Sequence, residues 1–127
     1  MKDTTHVEQE NTAVTNADTE VLALTMTAGF ISYIAIEVEN VSGGTLNSFK
    51  VQIKTHGSGE WHTYVSDANF DSTTNSNLLF SSDTGPHEVA AAGFAAFIVR
   101  LEGVFAFRLL AKSASASVVS VRGTLSS

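Results

Sequence analysis

The stretch Phe49-Lys50-Val51-Gln52-Ile53-Lys54 alternates apolar and polar residues without a break, and Gly57-Ser58-Gly59 follows it closely. A period of two places Phe49, Val51 and Ile53 on one face of a strand and Lys50, Gln52 and Lys54 on the other. Gly57-Ser58-Gly59 reads as a three-residue hairpin loop, with glycine available wherever φ must be positive. With His56 paired to Glu60, Ile53 faces Thr63 and Val51 faces Val65. That register puts Trp61 on the apolar face and leaves Lys54, His56, Glu60, His62 and Tyr64 on the other. The hairpin predicts an antiparallel β fold with Trp61 in the core beside Val51, Ile53 and Val65.

The same period extends in both directions. Leu22, Leu24 and Met26 alternate with Ala23 and Thr25, and Ile34, Ile36 and Val38 alternate with Ala35, Glu37 and Glu39. The cluster Asn40-Val41-Ser42-Gly43-Gly44 reads as a turn. Beyond the hairpin come a polar loop over 67–77, a short strand at Leu78-Leu79-Phe80, and a turn at Thr84-Gly85-Pro86-His87 around the single proline. Three further strands are expected over 94–102, 104–112 and 116–125. Seven to eight strands and no helical period predict an all-β chain, an antiparallel β-sandwich of immunoglobulin-like or jelly-roll type. Alternation does not give strand order, so both types stay open.

Residues 1–18 differ from the rest. Asp3, Glu8, Glu10 and Asp18 stand among Thr and Asn, with only Val7 and Val14 as large aliphatics beyond Met1. The segment reads as an extended N-terminal arm, frayed alone or ordered on a neighbouring subunit, ahead of a sandwich domain over 19–127.

Composition narrows the function. At 127 residues the chain is the size of one domain, and with no cysteine it has neither disulfides nor thiolate chemistry. Lys and Arg number 7 against 13 Asp and Glu, a net −6 that is the wrong sign for a nucleic-acid binder. Charged residues are only 16%, while 15 Ser and 14 Thr supply uncharged polarity. No apolar segment follows Lys2, so no secretory signal is expected. Residues 89–111 are apolar enough to suggest a membrane span, but Arg100, Glu102 and Arg108 interrupt them, and two adjacent strands explain them better.

Candidate chemistry is sparse. His56 and His62 near Glu60 resemble a metal-ligand set, yet Lys54 beside them is the wrong neighbour, and an exposed strand face is the simpler reading. Glu37 and Glu39 read as a charged outer face, and Gly57-Ser58-Gly59 is too tight for a nucleophile elbow. Accordingly no catalytic residue, cofactor or metal ligand is expected. Tyr33 and Tyr64 are the exposed aromatics available to a sugar. The anomaly lies in the last strands, where outward positions are apolar too: Ala96 and Ile98, then Val104, Ala106 and Leu110. Apolar residues on both faces predict a covered second face, with Ile98, Val104, Ala106 and Leu110 as candidate subunit interface.

From Val38-Glu39-Asn40 through Gly44, Phe49 to Ile53, Gly59-Glu60-Trp61-His62, the Ala-rich 89–93 and the Ser/Thr/Val tail, the chain resembles the small β-sandwich virion proteins of tailed bacteriophages. These are capsid decoration (cement) and minor structural proteins. The resemblance implies a non-enzymatic protein that binds the major capsid protein or another virion protein as a homo-oligomer, with a trimer favoured. It further implies assembly in the host cytoplasm and residence in the virion, with no nucleic-acid or membrane partner. The alternative is a sugar-binding or host-recognition sandwich of a phage tail or fibre.

Overall fold

In the computed structural model, residues 4–25, 33–66, 78–82 and 88–126 are described, the last five-residue segment but one and residues 4–5 by backbone alone. They form nine strands: β1 (Thr4–Val14), β2 (Thr19–Thr25), β3 (Tyr33–Gly43), β4 (Leu46–Lys54), β5 (His62–Val65), β6 (Leu78–Ser82), β7 (Phe94–Arg100), β8 (Ala106–Ser113) and β9 (Ser117–Ser126). The loop expected over 67–77, the turn at 84–87 and Met26 lie outside the described residues.

The strands make two antiparallel sheets, ordered β1-β9-β3-β7-β6 and β2-β8-β4-β5. Four pairings are nested: β1 with β9, β2 with β8, β3 with β7 and β4 with β5. The chain is therefore one long antiparallel ribbon rolled over itself, which is a jelly roll and not the immunoglobulin order. β6 adds one strand beside β7.

Alternation builds the core. Ile34, Ile36 and Val38 of β3, and Ala95, Phe97 and Val99 of β7, point inward and are buried. They meet Phe49 and Val51 of β4 and Phe107, Leu109 and Ala111 of β8. The rings of Phe49 and Phe97 touch across the sheets, 6.4 Å between centroids and tilted by 56°, a favourable offset arrangement. Gly43 turns the chain between β3 and β4 at φ +99°, where a Cβ would overlap the Ala116 carbonyl oxygen, so only glycine fits.

Two expectations change here. Residues 4–14, expected as an arm outside the sandwich, are the edge strand β1, paired with β9 from Thr4↔Ser126 to Val14↔Ser117. Their few apolar residues suffice because an edge strand gains ladder hydrogen bonds to one neighbour and needs to bury only one face; Val14 is fully buried. A bulge at Asn11, which takes φ 54°, donates its backbone N–H to Ser120 Oγ at 3.0 Å.

The second change is in the hairpin. Val51 does pair with Val65, but Gln52 pairs with Thr63 and Ile53 with His62. The extra residue is Tyr64, a bulge in β5, and it reverses which side chains of the preceding residues face outward. The tight turn itself is closed by the Gly59 N–H donating to the His56 carbonyl at 3.0 Å.

Candidate functional site

Because β3, β7 and β9 each alternate strictly in their central parts, their outward residues align in rows across the five-stranded sheet. One row runs His6, Thr124, Ala35, Ile98, and the next runs Glu8, Arg122, Glu37, Ala96. Small residues at Ala35 and Ala96 leave a shallow depression of about 830 Å³ in this outer face, lined by His6, Glu8, Ala35, Ala96, Ile98 and Arg122 among others. On the same face three large hydrophobics are exposed, Tyr33 (38%), Phe94 (40%) and Ile98 (41%).

One end of the depression is acidic. Arg122 donates to Glu10 at 2.9 Å and to Glu39 at 3.3 Å, while its direct cross-strand neighbours are Glu8 and Glu37. These carboxylate hydrogen bonds, Glu39 first, raise the guanidinium pKa further above its ordinary value. Four carboxylates thus surround one cation. His6 stands next to them with Nδ1 at 3.3 Å from Thr124 Oγ1.

The four residues expected at a subunit interface do not form one surface. Ile98 lies on the outer face just described. Ala106 and Leu110 are on the outer face of the other sheet, and Val104 is half-buried in the β7–β8 connection, packed against the core. Ala106 and Leu110 are only 4% and 7% exposed, because β8 is a central strand whose flanking side chains cover them. Glu20 and Lys50 stand on either side of Leu110, and long charged chains shield apolar neighbours with their methylene stems. The apolar outward positions of β8 are thus covered within the chain. Tyr33 is exposed, as the sequence indicates, while Phe94 and Ala35 join it on this face with no sequence signal beyond their alternation with buried neighbours.

The outer face of the four-stranded sheet carries the opposite charge, with Lys50, Lys54, Arg108 and Lys112 at outward positions. Trp61 lies here and not in the core. Arg108 stacks on its ring, Cζ 4.4 Å from the centroid, and Lys54 Nζ is 5.0 Å from it. Arg108 Nε also donates to Gln52 Oε1 at 2.8 Å. Tyr64, expected outside, is half-buried and donates its hydroxyl to the Arg100 carbonyl at 3.0 Å. Burial pushes its phenol pKa up, with nearby Arg100 opposing in part.

His56 and His62 are both exposed; His56 Nδ1 meets Ser58 Oγ at 3.3 Å. Among the described residues no three of His, Asp and Glu are gathered as a metal site. Likewise no helix there is long and apolar enough to cross a membrane.

The class defined by these features is a nine-strand jelly-roll sandwich with an apolar, acid-rimmed outer face on one sheet and a basic, aromatic outer face on the other. No family model and no curated protein matches the chain. Among solved structures, it is similar to the SPBc2 prophage-derived protein YomS, with TM-score 0.59 and 15% identity over 100% of this chain and 96% of that one. It is also similar to the PBSX exported protein XepA, with TM-score 0.59 and 15% identity over 99% of this chain. It spans only 38% of XepA's length. At such identities the likeness establishes the fold.

Proposed function

We propose that this chain is a non-enzymatic virion structural protein of a tailed bacteriophage, a capsid decoration protein that assembles as a homo-oligomer and binds the capsid lattice. The observation that carries this reading is the outer face of the five-stranded sheet, where Tyr33, Phe94 and Ile98 stand exposed beside Ala35 and Ala96. An apolar face rimmed by charge marks a protein–protein contact more often than a bare surface. The two similar folds, one prophage-derived and one named for PBSX, support a phage context. A trimer remains the subunit number to test, and the candidate contact is narrowed to the surface around Ile98.

The sugar-binding alternative needs an open aromatic platform. Trp61 lies on an outer face as such a platform would, but two cations already stack against its ring, so the structural role is preferred. Mass spectrometry of purified virions tests the proposal. The chain is expected in many copies per particle, and the Ile98→Glu chain is expected to be absent from particles. A wild-type chain that stays entirely in the soluble lysate, with none in particles, overturns it.

A further inference from the structure

The cations of this chain are not treated alike. Lys50 is paired with Asp18 at 3.0 Å, Arg100 with Glu102 at 3.8 Å, and Arg122 with Glu10 and Glu39. Lys54 and Arg108 have no carboxylate within salt-bridge distance among the described residues, yet the fold brings both to the one ring of Trp61. Cross-strand register explains why they meet: Gln52 faces Arg108 and Lys54 faces Ala106, so Lys54 and Arg108 are diagonal neighbours on one face. Two like charges gathered at one ring repel each other, and an anion bound near both relieves that repulsion.

The donors are also prearranged. Gln52 Oε1 takes the Arg108 Nε–H, and the indole holds the guanidinium across its face. Its terminal amino groups remain as a planar fork suited to two oxygens of one anion. Lys54 adds a point charge on the same ring. Fork and point charge together match phosphate or carboxylate, and charge-assisted hydrogen bonds of this kind are the strong ones. Chain-wide acidity does not prevent this, because the Glu8, Glu10, Glu37 and Glu39 cluster belongs to the opposite sheet.

We infer that the outer face of the four-stranded sheet binds an oxyanion, phosphate or carboxylate, between Arg108 and Lys54 beside Trp61. The site is independent of the assembly reading, which concerns the other sheet.

Trp61 is the only tryptophan, so its fluorescence reports directly on the site. Inorganic phosphate is titrated at neutral pH and constant ionic strength, with acetate in a second arm and chloride as the balancing anion. A saturable change in emission is expected with phosphate, acetate or both, and the arm that responds identifies the oxyanion. Arg108→Gln and Lys54→Gln should each weaken the response by about ten-fold or more, with far-UV circular dichroism unchanged. Lys50→Gln, whose parent already holds Asp18, should leave it intact. No saturable change in either arm, or equal weakening by all three variants, overturns the site.

Discussion

Arg108 lies with its guanidinium carbon 4.4 Å from the centre of the Trp61 ring, and this stack fixes the indole on the outside of the four-stranded sheet. Losing a buried aromatic costs about 3–5 kcal/mol, whereas a surface cation–π contact is worth about 0.5–1 kcal/mol. Trp61→Ala should therefore lower stability by only about 1–2 kcal/mol. Urea unfolding followed by far-UV circular dichroism checks this, and a loss near 4 kcal/mol would return Trp61 to the core.

Asn40 is fully buried at the end of β3, and its Nδ2 donates to the carbonyls of Gly44 at 2.9 Å and Val89 at 3.0 Å. Its backbone pairs with Ala92 and Gly93 as well. Asn40→Ala removes both hydrogen bonds: the Val89 carbonyl keeps the Leu46 N–H at 2.9 Å, whereas the half-buried Gly44 carbonyl loses its side-chain donor, a loss of about 1–3 kcal/mol. A thermal melt should show a large drop in midpoint with a single transition; a shift within error would mean that water replaces the amide.

Removal of residues 1–14 takes away one of the four nested pairings and the buried Val14. The loss should be on the order of 5 kcal/mol, a large share of a domain's total stability. Calorimetry of the truncated chain should show a broad, early transition or none. A melting temperature equal to wild type would make β1 a dispensable arm after all.

Tyr64 gives the alkaline limb of stability a shape. Its folded pKa is raised above 10.0, chiefly by burial, so the folded state holds the phenol proton more tightly than the unfolded chain does. The contribution is complete below about pH 10 and is lost as pH rises through the folded pKa. Tyr64→Phe should flatten that fall in a series of urea midpoints, while losing the hydrogen bond to the Arg100 carbonyl at every pH. An unchanged alkaline slope in the variant would contradict the assignment.

Much of this molecule is legible in particular residues. The strands around Ile34–Val38, Phe49–Ile53 and Phe94–Arg100 follow from alternation, because their inward residues fill one core. The jelly-roll order does not, since β1–β9 and β2–β8 pairing joins residues about a hundred positions apart. Trp61 was misplaced by a single extra residue, Tyr64, and a bulge leaves no local signature that distinguishes it from a regular register. Leu110 looked exposed because alternation assigns a face but says nothing of what neighbouring strands lay over it. Ile98 was legible for the converse reason: the residues beside it, Ala35 and Ala96, are too small to cover it.

The central claim is that the outer face around Ile98 is buried in an assembly, and light scattering coupled to size-exclusion chromatography measures this most directly. The wild-type chain should elute at a multiple of 13.4 kDa, and Ile98→Glu should elute as a monomer with unchanged far-UV circular dichroism. A wild-type chain of monomer mass across the whole concentration range, or an Ile98→Glu chain that stays assembled, would contradict the account.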